Sequence, residues 1–246
     1  MLIYVFLTAA AIAACCLAGA LAGFRLENIP PRLEDSLTGA AAGIMLCAAV
    51  LGLVAPSLEL GGSAAMVLTP LGVICGAGFL SALKLLGPRL TGMIGARDDS
   101  DASRSAALFV AAIAIHHFPE GIAAGVSFGT DSFSDTLTVT AGIAFQNLPE
   151  AMVLIPPLLH AGSGKRRAAI IAVISGAVEV AGLFFGYLAV TLARGVLPFA
   201  LAFAAGTMLF VIVDDMIPQS HRRGSARLAS YATLTAFALT LFLMAL

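Results

Sequence analysis

The sequence predicts an all-α membrane protein built as a bundle of eight transmembrane helices. The chain of 246 residues is 60% hydrophobic and only 11% charged, with a mean hydropathy of +1.01, whereas a soluble domain usually carries about 25% charged residues. Its apolar residues form runs of roughly 20, the length that crosses a bilayer as a helix. Two of these runs contain polar side chains at helical spacing in their middle, which indicates a functional site inside the bundle.

Short polar connections between the apolar runs set the predicted helix boundaries. The seventh run is short before Asp214, so we extend that helix past the aspartates to Pro218. We expect residues 1–246 to form a single membrane domain. The predicted helices lie near 2–24, 36–57, 64–86, 104–128, 136–160, 167–193, 196–218 and 225–246.

The basic residues predict the orientation of the chain. If the helices alternate in direction, all thirteen Lys and Arg residues except Arg194 lie on one side of the membrane. The positive-inside rule assigns that side to the cytoplasm. The chain is therefore expected in the plasma (cytoplasmic) membrane as a multi-pass protein with both termini outside.

Charge and cysteine content exclude some classes of function. The net charge is −1 and no extended basic patch occurs, so nucleic acid is not expected as a partner. The cysteines lie within apolar runs without CxxC spacing, and we expect them to act as small packing residues without redox chemistry. They are Cys15, Cys16, Cys47 and Cys75.

Two related segments lie within the predicted fourth and fifth helices. Residues 116–121 read H-H-F-P-E-G and residues 146–151 read Q-N-L-P-E-A. In each segment the glutamate lies three and four residues after two polar side chains, so all three share one helical face. The proline before each glutamate is expected to kink its helix and to free a backbone carbonyl one turn earlier. Matching proline-interrupted segments on consecutive helices also suggest an inverted repeat.

These side chains predict a cation site. The two segments supply His116, His117, Glu120, Gln146, Asn147 and Glu150. Glu179 lies alone in the middle of the sixth helix, where a carboxylate must be protonated, paired or bound to a cation. Mixed imidazole, carboxylate and amide ligands suit Zn, Fe, Mn, Co or Cd better than Ca or Mg. Met45 in the second helix can be either a packing residue or a ligand.

Polar residues near the membrane surfaces are candidates for the ends of a pathway. Asp214, Asp215 and His221 close the seventh helix on the predicted cytoplasmic side, where they form either an exit or an ordinary solvated helix end. Glu59 lies in a short, acidic outer connection and is a candidate for the entrance.

At these residues the chain resembles the ZIP (Zrt/Irt-like) family of divalent-metal transporters, and most closely its prokaryotic, GufA-like branch. The resemblance covers nearly the whole chain. It includes the two proline-glutamate segments, Ser175-Gly176 through Glu179, Gly43-Ile44-Met45-Leu46, and the seventh helix from Leu201 to Pro218.

The resemblance implies a binuclear metal site in a transport pathway. By motif position, one ion would be held by His116, Glu120, Gln146 and Glu150. The second would be held by His117, Asn147, Glu179 and Met45, with Glu120 and Glu150 bridging. The resemblance also implies elevator-like alternating access, in which helices one, four, five and six move against helices two, three, seven and eight.

The chain departs from the family pattern at two of these positions. His117 stands where asparagine is common, and Asn147 stands where aspartate is frequent, so the second site gains an imidazole and loses a carboxylate. The histidine-rich loop often found between helices three and four is absent.

Transport of divalent transition metals into the cytoplasm is therefore the predicted function, with zinc foremost and cadmium, iron or manganese as further substrates. No cofactor is expected, and the chain is not predicted to be an enzyme. An intramembrane metalloprotease would be expected to carry HExxH, which the chain lacks. The alternative is a proton-coupled carrier of a small organic solute that uses Glu120, Glu150 and Glu179 as a proton relay. The sequence leaves open whether the chain forms a homodimer.

Overall fold

A computed structural model describes residues 2–25, 29–85, 117–130, 133–160, 164–192, 194–222 and 224–244. These parts of the chain contain eight helical segments and no strand, which confirms the predicted all-α class. In chain order, α1 is Leu2–Arg25, α2 is Pro31–Leu60, α3 is Ala65–Lys84, α4 is residues 117–127, α5 is Phe133–His160, α6 is Lys165–Leu192, α7 is Leu197–Ser220 and α8 is Ala226–Met244.

Prolines explain where two of the helices differ from a regular α-helix. Helix α2 begins at Pro31, ahead of the predicted residue 36, because proline suits the first turn, where its missing N–H is not needed. Each of α2 and α7 contains one π-helical turn, Val50–Val54 and Ile212–Met216. Each turn lies just before a proline, Pro56 or Pro218. A wider turn is a common way to accommodate a ring that would clash with the carbonyl four residues earlier.

Six of the helices are long and apolar enough to cross a membrane, namely α1, α2, α3, α6, α7 and α8. Helix α4 is described only over residues 117–127, and α5 carries polar side chains in its middle. Both remain helical across their prolines, Pro119 and Pro149, and the kinks there stay predictions.

Glycines mark the close helix contacts. A Cβ at Gly19 of α1 would meet the backbone of Leu148 in α5, and one at Gly76 of α3 would meet the backbone of Phe203 in α7. Similar contacts join α2 to α8 and α4 to α6. Small residues let helices approach until their backbones touch, which is how helices associate tightly in lipid.

These contacts join the helices in four pairs, and the predicted elevator movement groups the pairs into two sets. One set contains α1, α4, α5 and α6, and the other contains α2, α3, α7 and α8. Helix α2 also packs along α5, where Gly52 lies against Val139 and Gly142 lies near Ala48. The polar side chains of α4, α5 and α6 lie within the first set, close to this boundary.

Candidate metal centre

A close crossing of α4 and α6 brings the first carboxylates together. A Cβ at Gly121 would collide with the backbone oxygen of Glu179, and one at Gly182 would collide with the backbone oxygen of Phe118. Because the two backbones touch here, Glu120 on α4 faces the carboxylate of α6. The two glycines thus lie on facing sides of one helix crossing.

Helix α5 turns its polar face toward α4 and α6. Gln146 and Asn147 are completely buried, whereas their neighbours Phe145 and Leu148 are largely exposed. In lipid this is the expected arrangement, because the apolar side chains face the hydrocarbon and the polar ones face the protein interior. The spacing predicted from the sequence therefore corresponds to one buried polar face.

The structure joins these side chains into one group, which we call the central cluster: His117, Glu120, Gln146, Asn147, Glu150 and Glu179. Gln146 Nε2 donates to Glu120 Oε1 at 2.9 Å. Asn147 Nδ2 donates to both oxygens of Glu179, at 2.7 and 2.8 Å. His117 Nδ1 lies 3.1 Å from Glu179 Oε2. The two amides thus present N–H groups to carboxylates.

Four oxygens of the central cluster are buried without a hydrogen-bond partner among the described residues. They are Glu120 Oε2, Gln146 Oε1, Asn147 Oδ1 and Glu150 Oε2. A buried acceptor without a donor costs about 1–3 kcal/mol, so native proteins rarely keep several in one place. All four can accept a hydrogen bond or bind a cation.

Among the described residues, no lysine or arginine balances the charge of the central cluster. Within the part of the chain that the structure describes, Glu120, Glu150 and Glu179 form no ion pair with Lys or Arg. One ligand atom from each of His117, Glu120 and Glu150 can be chosen so that all three lie within 4.8 Å of one another. That spacing suits a single divalent ion held by nitrogen and oxygen ligands.

Three predicted ligands differ from the others in how the structure describes them. His116 lies outside the described residues. Glu150, although partly accessible, keeps one buried oxygen. Met45 is completely buried in α2 and packs in the main hydrophobic cluster, so its role as a ligand stays a prediction.

Cys16 of α1 is a member of this site that the sequence analysis missed. Its Sγ lies 3.6 Å from Glu179 Oε2, and it forms a second group of potential ligands with His117 and Glu179. We predicted that all four cysteines pack as apolar residues. Cys16 is buried, but it contacts a carboxylate. Roughly one hundred residues separate it from His117, so no local spacing could have linked them.

The predicted exit residues lie at the end of α7. Lys84 Nζ is 2.6 Å from Asp214 Oδ2 and 2.6 Å from Asp215 Oδ2. The ammonium also lies 4.9 Å from the centre of the Phe210 ring. Lys84 was not among the predicted exit residues, because it lies on α3 and only the packing of α3 on α7 brings it next to Asp214 and Asp215.

A small cavity of about 50 Å³ lies between the central cluster and the α7 aspartates. Both Glu150 and Asp215 line it, together with polar side chains of α2 and α7, Thr38 and Gln219. The cavity is therefore bounded by a carboxylate at each end.

The other two predicted pathway residues lie apart from this cavity. His221 Nδ1 is 2.7 Å from the backbone oxygen of Ile217, and Nε2 is 3.1 Å from Ser230 Oγ. Both ring nitrogens therefore contact the ends of α7 and α8. Glu59 is exposed near the end of α2. Their roles in the pathway stay predictions.

The fold and this cluster define a polytopic helical membrane protein with ionisable and amide groups gathered inside its bundle. Residues 93–245 match the sequence model of the family described as ZIP Zinc transporter. The zinc transporter GufA of Myxococcus xanthus is 38% identical over 198 residues, 78% of each chain. The zinc transporter ZIPB of Bordetella bronchiseptica is 34% identical over 98% of this chain and 80% of its own. The human zinc transporter ZIP11 is 38% identical over 54% of this chain and 41% of its own.

This chain belongs to the ZIP family and is a prokaryotic, GufA-like member of it. Membership confirms that the chain is a multi-pass membrane transporter and not an enzyme. The family predicted from the two proline-glutamate segments is therefore confirmed.

Proposed function

We propose that this protein carries divalent transition-metal ions, with zinc as the main substrate, through the central cluster and into the cytoplasm. The observation that carries the proposal is the set of four buried acceptor oxygens, beside three carboxylates that have no Lys or Arg partner among the described residues. A divalent cation satisfies both the charge and the acceptors. The names of the relatives, all zinc transporters, support zinc as that cation.

We further propose that the site is binuclear. The two oxygens of Glu120 face different neighbours: Oε1 accepts from Gln146, and Oε2 lies 3.7 Å from His117 Nδ1. A carboxylate reaching both sides is suited to bridge two ions. In this assignment His116, Glu120, Gln146 and Glu150 hold the first ion. The second is held by His117, Asn147, Glu179 and Met45, with Glu120 and Glu150 shared.

The ligand types support a group of substrates rather than a single ion. Imidazole and carboxylate ligands accept zinc, cadmium, iron and manganese, whereas calcium and magnesium prefer sites built from oxygen alone. The amide oxygens of Gln146 and Asn147 are neutral ligands, so they hold an ion less tightly than carboxylates would. Weaker binding suits a site that must release its ion.

We propose an elevator-type movement of the two helix sets. Support comes from the glycine contacts, because they join α4 to α6 and α1 to α5 within the first set. Corresponding contacts join α2 to α8 and α3 to α7 within the second set. Within each set the glycine contacts hold the helices in pairs, and the central cluster belongs to the first set. Movement of that set would carry a bound ion relative to the second.

The proposed path to the cytoplasm starts at Glu150 and runs through the small cavity to Asp215. Glu59 is the proposed entrance on the other side. This direction follows from the orientation predicted by the basic residues, with both termini outside the cytoplasmic membrane. Residues 1–246 are proposed to act as one transporter domain.

The proposal is tested by uptake of radioactive zinc into proteoliposomes, with unlabelled cadmium, manganese, iron and magnesium as competitors. Uptake should saturate, and cadmium should compete with it while magnesium does not. Glu150→Gln, which keeps the shape of the side chain and removes its charge, should abolish uptake.

Two results would count against this function. Zinc uptake that is unchanged in Glu150→Gln would show that the path does not use the central cluster. Flux of an organic solute that follows the proton gradient without metal would favour the proton-coupled carrier instead.

A further inference from the structure

Helix α1 brings a thiol to the edge of the central cluster. Cys16 is 5% exposed, and its S–H donates to Glu179 Oε2 at 3.6 Å. On the other side of the same oxygen, His117 Nδ1 lies at 3.1 Å. Three helices, α1, α4 and α6, thus contribute a sulfur, a nitrogen and an oxygen that lie within 4.8 Å of one another.

Gly176 of α6 lies beside the thiol. A Cβ at Gly176 would lie 3.4 Å from Cys16 Cβ and 3.6 Å from its Sγ, which is ordinary van der Waals contact. The α1–α6 packing at this point therefore places Cys16 next to α6, three residues before Glu179 along that helix.

A second observation shows that the point is suited to a ligand. Glu120 is completely buried, its Oε2 has no hydrogen-bond partner among the described residues, and it lies 3.7 Å from His117 Nδ1. Asn147, also completely buried, donates to Glu179 while its own Oδ1 has no partner in the same part of the chain. Two buried residues that contact His117 or Glu179 thus each keep an acceptor oxygen without a partner among the described residues.

The spacing of these atoms fits tetrahedral coordination. Zn–S and Zn–O bonds of about 2.3 and 2.1 Å at a tetrahedral angle separate the sulfur and oxygen by about 3.6 Å. The same reasoning separates a ligating nitrogen and oxygen by about 3.4 Å. The observed separations are 3.6 Å for Cys16 Sγ to Glu179 Oε2, 3.1 Å for His117 Nδ1 to Glu179 Oε2, and 3.7 Å for His117 Nδ1 to Glu120 Oε2.

We propose that Cys16 is a metal ligand of the transport site, which binds a thiophilic divalent cation through Cys16, His117 and Glu179. The proposal rests on the proposed function and adds a ligand from α1. The thiol gives up its proton to solvent as the metal–sulfur bond forms, so the bound ligand is a thiolate. A thiolate favours soft ions, so Cys16 directs the site toward cadmium and zinc and away from manganese and magnesium.

The direct test is a cadmium titration of the purified full-length chain, followed by the ultraviolet charge-transfer absorption of a cadmium–thiolate bond. Cys47→Ala and Cys75→Ala are introduced first, because those thiols would also bind cadmium. The matched variants in this background are Cys16→Ser and Cys15→Ser, which change adjacent residues in the same way. We expect the absorption to persist in Cys15→Ser and to be lost in Cys16→Ser.

A second measurement compares the metals by competition. The ratio of the cadmium to the zinc inhibition constant should rise roughly tenfold or more in Cys16→Ser, because the soft ligand is lost. Cys16→Ala provides the same readouts if the serine variant does not fold. Absorption of equal strength in Cys16→Ser and Cys15→Ser overturns the proposal.

These experiments distinguish a failure of the Cys16 proposal from a failure of the proposed transport function. If zinc uptake requires Glu120 but no variant shows a cadmium–thiolate band, Cys16 is not a ligand and the transport function stands. If neither uptake nor metal binding depends on Glu120, the central cluster is not the transport site.

Discussion

Two groups of acidic side chains in the described part of the chain contribute to the small cavity, and they differ in what balances their charge. In the central cluster, Glu120, Glu150 and Glu179 have no Lys or Arg partner within the described chain. At the end of α7, Asp214 and Asp215 share the ammonium of Lys84. An acidic pair on a predicted pathway is therefore not by itself a metal site. Carboxylates that already have a protein cation do not require a metal ion.

The two groups also differ in what positions them. The central cluster is set by helix backbones in contact, since Gly121 of α4 lies against Glu179 of α6. The α7 aspartates are held by one long side chain from α3. A lysine can turn away at small cost, whereas two packed helices cannot separate without losing much of their interface. The first group therefore has a fixed geometry, whereas the ion pairs of the second group can rearrange at small cost.

The largest expected effect comes from neutralising a carboxylate of the central cluster. Glu120→Gln should reduce zinc uptake by about 100-fold or more, because it removes a charged ligand that reaches both proposed ions. Radioactive zinc uptake measures the effect. Asp214→Asn is the matched control and should lower uptake by less than about fivefold, because an exposed ion pair contributes little. Equal losses in the two variants would remove the distinction between the groups.

The next effect comes from adding a carboxylate to the central cluster. Asn147→Asp replaces an amide that donates to both oxygens of Glu179 with a second anion. Without metal, the protein should lose roughly 1.5–3 kcal/mol per charged hydrogen bond removed. Zinc should restore that loss, since the variant gains a charged ligand. Thermal unfolding with and without zinc checks this, and a variant that zinc does not stabilise more than the unmodified protein contradicts it.

Packing at the α4–α6 crossing is expected to have a smaller but clear effect. Gly121→Val should destabilise the protein by about 1–3 kcal/mol, because the added side chain overlaps the backbone of Glu179. Gly78→Val is the control, since a Cβ at Gly78 meets nothing within 4 Å. Unfolding midpoints of the purified variants give the comparison. Equal midpoints would mean that the crossing does not hold the central cluster in place.

Acid should weaken metal binding in the central cluster through its predicted histidine ligands. A protonated imidazole has no lone pair for a metal, so a ligating histidine must be neutral. Zinc uptake should therefore fall from about pH 7.5 to about pH 5.5 as His116 and His117 are protonated. Uptake measured with equal internal and external pH tests this prediction. A flat profile would argue against histidine ligands.

The smallest effect is expected at Lys84. Lys84→Met removes the cation shared by Asp214 and Asp215, and should change the uptake rate by less than about fivefold. Because the freed carboxylates can then hold a metal ion, we expect a new weak zinc site, detectable by isothermal titration. No additional zinc binding in Lys84→Met would show that the lysine does not occupy a latent cation site.

Much of the site could be predicted from the sequence because its elements are local. The residues 116–121 and 146–151 show helical spacing of polar side chains in apolar runs, and the structure turns Gln146 and Asn147 to one buried face. Glu179 was recognised because a carboxylate in the middle of an apolar helix requires an explanation. The helix starting at Pro31 was predicted too late, because apolar periodicity does not detect a polar first turn.

Three features could not be predicted because they depend on which helices are neighbours. Cys16 lies far along the chain from His117 and Glu179, and no spacing rule connects them. Lys84 reaches Asp214 and Asp215 only because α3 packs on α7. Gly121 and Gly182 are visible in the sequence, but nothing in the spacing of the glycines identifies α6 as the partner of α4.

The sequence by itself determined that the chain enters a membrane, that its helices are separated by short connections, and which polar residues lie at membrane depth. These properties follow from hydropathy and helical period, which act over about 20 residues. The tertiary structure alone decided which carboxylates of the described chain lie without a Lys or Arg partner and which thiol joins them. Electrostatic and ligand contacts act over a few ångströms in space, and only the packed helices bring distant residues within that range.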